Sequence, residues 1–279
     1  RSNSTGSTTE ETIQGIPARR GHLSRNPGLF SLPLGAGGIS SLTLRELFHQ
    51  GRRDVSRRQA IGRHGDYSGR RVIVSAGGTR QPIDPVRFIS NRSTGKMGHR
   101  IAEAARDRGA DVLLITASDL PYPSGVEVVK AMTVEEMRDA IVPSSSEADL
   151  LIMAAAISDF TPAQVSDQKI KKQGQPETSL KLVEVEDFMP LAKGRKLVKV
   201  AFAAETNNVE ENAKAKTTPK GAAFVVANDI SEPGSGFGTD TNRVTFVDSQ
   251  GNTQQHPLMT KLNVGHAILD YALPLLTKH

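Results

Sequence analysis

Arg71-Val72-Ile73-Val74-Ser75-Ala76-Gly77-Gly78-Thr79-Arg80 is the stretch on which the fold turns. After Arg71, the residues Val72 to Ala76 are apolar or small, rich in β-branched types, and do not alternate with polar ones in the way of a half-exposed strand. A strand of that kind is covered on both faces, as in a parallel sheet with helices on either side. The glycine pair ends it and lets a ligand approach the backbone at the carboxyl end of the strand, where sheet ligands collect. An ordinary tight turn would look the same, and the spacing is not that of a G-x-G-x-x-G fingerprint.

Downstream, strands and helices alternate. Met97, Ile101, Ala104 and Ala105 share one face of a helix over residues 94–108. Strands follow at 112–116 and 126–129, and Thr133-x-x-Glu136 is a capping box that opens a helix reaching about residue 141. Residues 149–156 read as a buried strand, then come strands at 197–202, 222–227 and 243–247 and a closing helix over 258–276. This order predicts an α/β fold: a Rossmann-like, doubly wound, mostly parallel sheet, preceded by an irregular N-terminal extension.

The extension is set apart by its composition. Residues 1–70 hold eleven Arg and no Lys against three Glu and two Asp, a net +6, although the whole 279-residue chain carries only +5. The first lysine is Lys96. Residues 1–28 are rich in Ser, Thr, Gly and Arg without hydrophobic period, residues 41–48 predict one short amphipathic helix, and 51–70 read as a basic linker. The expected division is therefore 1–70, an Arg-rich extension, and 71–279, the α/β domain. So basic a tail suits an acidic protein surface or RNA, without the interleaved aromatics that stack bases. Its Arg- and Ser-rich character also suits the remains of an organelle transit segment. The chain is expected in the cytoplasm, or in an organelle matrix if that start is a processed eukaryotic one.

There is no cysteine, which excludes disulfides, thiolate nucleophiles and Cys-ligated metals. No run of eighteen apolar residues occurs, so no membrane-spanning helix is expected. No residue is singled out as a metal ligand.

Four stretches carry candidate chemistry. Gly77-Gly78 ends the first strand. Ser90-Asn91-Arg92-Ser93-Thr94-Gly95-Lys96 opens the next helix, whose positive end suits an anion, although it is not a Walker loop. Ala154-Ala155-Ala156-Ile157-Ser158-Asp159 ends the 149–156 strand with a carboxylate placed for a nucleotide's sugar or base, and Lys169-Ile170-Lys171-Lys172 follows ten residues later. Such lysines neutralise a triphosphate or charge developing in acyl–phosphate chemistry, although a solvated charge run looks similar. Lastly, Phe202 to Asn208, the lysines Lys214, Lys216 and Lys220, and Ala227-Asn228-Asp229 follow later strand ends.

Together these stretches resemble phosphopantothenate–cysteine ligase, the synthetase half of the bacterial bifunctional coenzyme A enzyme, from about Arg71 onward. Gly77-Gly78-Thr79-Arg80-x-Pro82-Ile83-Asp84-Pro85-Val86-Arg87-Phe88-Ile89-Ser90-Asn91-Arg92-Ser93-x-Gly95-Lys96-Met97-Gly98 carries most of the resemblance. Residues 1–70 do not resemble the flavin-dependent decarboxylase half. The resemblance implies two steps: the carboxylate of 4′-phosphopantothenate displaces pyrophosphate from a nucleotide, and the amine of cysteine then displaces the nucleotide. It implies CTP, the choice of bacterial-type members, or ATP, frequent in eukaryotic ones, with Mg²⁺ on the triphosphate. It implies a homodimer with part of each site near the partner subunit.

Residue by residue, the resemblance gives Asn91 a role in converting the intermediate to product and Lys169 one in forming it. It places Asp159 on cytidine, Gly77, Gly78, Ala154, Ala155, Asp187 and Phe202 among the nucleotide contacts, and Lys216 and Lys220 on phosphates. Arg92, Ser93, Lys96 and Asn228 are the expected substrate contacts. The chain departs from the family where Val185-Glu186-Asp187-Phe188-Met189 replaces a proline-containing nucleotide loop, and the run from there to Phe202 is short. Ala201 and Ala223 stand where glycine and aspartate are common. These departures, with the basic extension, give the competing reading: a ligase-derived subunit of a larger assembly, docked through its N-terminus. An NAD(P)-dependent reductase rests on fold alone and lacks the fingerprint.

Overall fold

The computed structural model describes residues 65–276, apart from 173, 175, 176, 206–216, 218 and 230–233. The helix expected over 41–48, the rest of the extension before residue 65, and Lys214 and Lys216 lie outside the described residues. Fourteen strands are described: β1 (Arg71–Ala76), β2 (Arg80–Pro82), β3 (Phe88–Ser90), β4 (Asp111–Thr116), β5 (Glu127–Lys130), β6 (Leu150–Met153), β7 (Phe160–Pro162), β8 (Leu182–Glu184), β9 (Val198–Glu205), β10 (Phe224–Asp229), β11 (Thr241–Asn242), β12 (Thr245–Asp248), β13 (Thr253–Gln255) and β14 (Met259–Thr260). Among the described residues the longer helices are α1 (Lys96–Asp107), α2 (Val134–Ser144) and α3 (Lys261–Leu276).

The central sheet runs β13-β12-β10-β9-β6-β1-β4-β5. From β5 to β10 every pair is parallel, and β12 and β13 close one edge antiparallel. Numbered in chain order, the six parallel strands lie 3-2-1-4-5-6, the Rossmann order, which bears out the doubly wound reading. The winding reverses between β1 and β6, where Val72 pairs Val112 on one side and Leu150 on the other.

Period-two geometry divides the apolar run of β1 between two cores. Val72, Val74 and Ala76 pack with Ile101, Ala104, Ile268 and Leu269 beneath α1 and α3. Ile73 packs with Met137 and Ile141 of α2 on the other face. α1 lies close on β1 because Gly98 has no side chain: a Cβ there would stand 2.5 Å from Ala76 Cβ and 2.6 Å from the Ser75 carbonyl oxygen. The capping box of α2 is present, with Glu136 N–H donating to Thr133 Oγ1 at 3.1 Å and Thr133 N–H to Glu136 Oε2 at 3.2 Å.

The strand expected over 149–156 ends at Met153. Beyond it the chain leaves the ladder so that Ala155 N–H reaches Ser75 Oγ at 3.1 Å, and Ala156 makes only an isolated bridge to Gly78. The ribbons β2–β3, β7–β8 and β11–β14 were not foreseen, because strands of two or three residues give no period to read. Before Arg71, Tyr67 is fully buried and its hydroxyl donates to the Leu269 carbonyl at 2.6 Å. Among the described residues no helix is long and apolar enough to cross a membrane.

Candidate active site

Where the winding reverses, the segments leaving β1 and β6 stay paired past the strands, and a crevice opens beside them at the carboxyl ends of the sheet. Gly77 and Gly78 lie on the β1 side and Ala154 to Ala156 on the β6 side, and of these only the alanines line the cavity. The two sides are stitched together: Ala156 N–H donates to the Gly77 carbonyl at 2.8 Å, and Ser158 N–H to Thr79 Oγ1 at 2.9 Å. Asn91, just past β3, is exposed and donates from Nδ2 to the Ile157 carbonyl at 3.0 Å, which ties its segment to the Ala154–Asp159 side.

α1 begins at the mouth of this crevice. Gly95 precedes it with φ at 84°, and a Cβ there would lie 2.6 Å from Ser118 Cβ. No side chain caps the helix and its first turn holds no acid, so its leading N–H groups and positive dipole end face the crevice unneutralised. A cavity runs from here across the sheet ends, lined by Ser93, Lys96, Ala155, Phe202, Asn228 and Lys261. Asn228 is 7% exposed at the end of β10.

Two lysines hold the glycine-rich segment from Gly236 to Asp240 over the cavity. Lys96 Nζ donates to the Gly238 carbonyl and to Asp240 Oδ1, both at 2.8 Å. Lys261, 4% exposed at the start of α3, donates to the Gly236 carbonyl at 2.9 Å and the Thr239 carbonyl at 2.6 Å. Burial, reinforced by the Lys96 charge and opposed by Asp240, pulls the Lys261 ammonium down to about 8. The hydrogen bond from Lys96 holds the Asp240 carboxyl below its usual range.

Of the residues singled out in the sequence, Gly77, Gly78, Ala154 and Ala155 meet at the crevice, and Ser93, Lys96, Phe202 and Asn228 join Ala154 and Ala155 around the cavity. Asn91 stands beside them. Asp159 follows the β6 wall and is exposed, as are Arg92 and Lys169, the latter on the loop between β7 and β8. None of these three lines the cavity. Lys220 and Asp187 pair with each other at 2.6 Å, away from it, and Asp187 also accepts Met189 N–H at 3.0 Å.

Lys261 was not singled out in the sequence. A lysine at the first turn of an amphipathic helix reads as a surface cation, and only the tertiary fold buries it. Asn242 takes the Ser235 hydroxyl at 2.6 Å and also lines the cavity.

Comparison with known proteins agrees with this architecture. Residues 67–275 match the family described as DNA/pantothenate metabolism flavoprotein C-terminal domain. The chain is 42% identical over 205 residues to the coenzyme A biosynthesis bifunctional protein CoaBC of Bacillus subtilis (strain 168), covering 72% of this chain and 50% of that protein. It is 40% identical over 213 residues to a cysteine/cysteine sulfinic acid decarboxylase of an unknown prokaryotic organism, covering 75% of this chain and 59% of that one. The crystal structure of the C-terminal domain of CoaBC superposes with a TM-score of 0.65 at 32% identity, over 77% of this chain and all of that one. The chain thus spans about half the length of the curated relatives it matches.

Proposed function

From the premise that the chain belongs to the DNA/pantothenate metabolism flavoprotein C-terminal domain family and is similar to the C-terminal domain of CoaBC, we propose that it joins 4′-phosphopantothenate to cysteine through an acyl-nucleotide. The observation that carries this reading is the crevice at the carboxyl ends of the sheet beside β1 and β6, with an uncapped helix end and Lys96 at its mouth. That is a site for a phosphorylated substrate beside a nucleotide.

In the first step a carboxylate oxygen of phosphopantothenate attacks the α-phosphorus of the nucleotide, the bond to the bridging oxygen breaks, and pyrophosphate leaves. In the second the amine of cysteine attacks the acyl carbon, the nucleoside monophosphate leaves, and the amine loses its proton. Lys169 and the lysines of its loop neutralise charge on the departing pyrophosphate. Asn91 steers the intermediate toward product. Ala154, Ala155, Gly77 and Gly78 offer backbone contacts to the nucleotide, Phe202 an apolar one, and Asp159 hydrogen bonds to the sugar or base. Asp187 acts on the nucleotide through Lys220, which with Lys216 meets the phosphates. Ser93, Lys96, Arg92 and Asn228 hold the acyl substrate.

CTP is the nucleotide we assign, ahead of ATP. Among the described residues no three His, Asp or Glu side chains gather to hold a metal ion. Mg²⁺ fits this chain as an ion carried on the triphosphate with most of its own waters; when bound it neutralises phosphate charge.

We assign a homodimer as the active form, supported by apolar side chains left exposed on β3, β7 and β8, including Phe88, Phe160 and Leu182. The division at Arg70–Arg71, the docking of the basic extension on an acidic partner, and a cytoplasmic or organelle-matrix setting belong to the same reading. The test is pyrophosphate release with phosphopantothenate, cysteine, Mg²⁺ and either CTP or ATP. Release that depends on phosphopantothenate and disappears in Lys169→Ala is expected; no release with either nucleotide would overturn the proposal.

A further inference from the structure

Asp84 lies outside the crevice, yet its side chain is wholly buried. Oδ1 accepts the N–H groups of Val86 at 2.8 Å and Arg87 at 2.9 Å. Oδ2 accepts Arg87 Nε at 3.0 Å, Arg87 Nη2, and the N–H of Ile170 at 3.1 Å. The last of these crosses 86 positions of sequence. The same guanidinium turns its Nη2 to the Ile170 carbonyl at 3.0 Å, and Ser166 N–H donates to the Ile83 carbonyl at 3.0 Å. Both backbone groups of Ile170 are therefore held by one ion pair, on the long loop between β7 and β8.

Lys169 precedes Ile170 and is exposed. A lysine on a free loop would spread its ammonium over many positions, and ordering it would cost conformational entropy at every turnover. With Ile170 pinned from both sides, the Cα of Lys169 is fixed and only its side chain remains to settle. We propose that Asp84, acting with Arg87, is the positioning residue that holds Lys169 where the triphosphate reacts. The inference rests on the role given to Lys169 above. The Arg87 guanidinium, then the surrounding N–H groups, hold the Asp84 carboxyl well below the usual carboxylate range, so the anchor stays charged at any working pH. Asparagine would keep the shape but turn an amide toward the guanidinium and break the forked pairing.

The experiment compares the full chain with Asp84→Asn and Arg87→Lys by two measurements. The first is amide hydrogen exchange across residues 163–172, with β1 as the control for folding. The second is steady-state pyrophosphate release at varied CTP. In Asp84→Asn, exchange at Ile170 is expected to quicken at least about tenfold, the loss of one charge-assisted hydrogen bond. β1 stays protected, and kcat falls at least about tenfold while the KM for CTP stays within about twofold. Arg87→Lys, which keeps the charge and loses the fork, carries the same expectations and stands in where Asp84→Asn does not fold. Unchanged exchange at Ile170 overturns the proposal whatever the activity. So does a kcat within about twofold of the parent, or a loss confined to KM. A parent chain that releases no pyrophosphate defeats the function assigned to Lys169, and exchange at Ile170 then decides alone whether Asp84 anchors the loop.

Discussion

Lys220 Nζ stands 2.6 Å from Asp187 Oδ2 on a partly exposed face, and the same carboxylate accepts Met189 N–H at the turn after β8. The loop that departs from the family's pattern is thus tied to a lysine assigned to the phosphates. Phe188 and Met189, 3% and 1% exposed, anchor the turn into the core below α2, so Asp187 is held at a fixed place.

Asp187→Asn separates the two jobs of this carboxylate. Asparagine can still accept Met189 N–H, so the turn survives, but Lys220 loses its counter-charge. A pair this exposed contributes up to about 1 kcal/mol, which corresponds to a rise of at most about fivefold in the KM for the nucleotide. The expected result from initial rates is that rise with kcat unchanged. A fall in KM would mean that Asp187 competes with the phosphates for Lys220.

Lys261 makes stability depend on alkaline pH. Its proton is held less tightly in the folded chain, to about 8, than in an unfolded one, where lysine keeps its ordinary value near 10.4. Between those values the unfolded state binds more protons, so stability rises with pH through this window; below about 8 the full cost of burying the charge is present. Each tenfold change in proton affinity is worth about 1.4 kcal/mol. Urea unfolding at several pH values should show the parent gaining on Lys261→Met from pH 8 to 10. A constant difference between the two would remove Lys261 as the cause.

The β1 stretch foretold much of this arrangement. Its run of apolar and small residues, Val72 to Ala76, dictated a strand covered on both faces, and the glycines after it marked the crevice. The helical spacing of Ile101, Ala104 and Ala105 identified the face that packs on β1. The Thr133–Glu136 capping box was visible because it is local. Lys261, Asp240 and the Asp84–Ile170 tie were not, since each depends on residues brought together from more than twenty positions away. Lys96 was legible as a cation at a helix start but not as a strap across the Gly236–Asp240 segment. The particular roles of Asp159 and Lys169 rest on resemblance, because the fold leaves both side chains exposed.

Gly98 tests the packing that sets α1 at the crevice. A methyl group there would overlap Ala76 Cβ and the Ser75 carbonyl, and backbone cannot move aside as a side chain can. Overpacking of this kind costs about 1–3 kcal/mol. For a domain of this size, Gly98→Ala should lower Tm by roughly 2–12 °C in a thermal melt. An unchanged Tm would mean that α1 can lift off β1 at little cost.

Asn91 tests the division of the reaction into two steps. Its Nδ2 donates to the Ile157 carbonyl at 3.0 Å, and this contact fixes the amide beside the β6 wall. Asn91→Asp keeps the size but replaces the donor by a carboxylate oxygen facing a carbonyl, so the side chain turns away and adds a negative charge near the phosphates. If Asn91 serves only the second step, formation of the acyl-nucleotide continues and its use by cysteine slows. Mixing the variant with CTP, Mg²⁺, phosphopantothenate and cysteine should give a burst of pyrophosphate of about one per site, followed by turnover at least about tenfold below the parent's. Chromatography of the quenched mixture should then show accumulated acyl-cytidylate. Loss of the burst itself would move Asn91 into the first step, alongside Lys169.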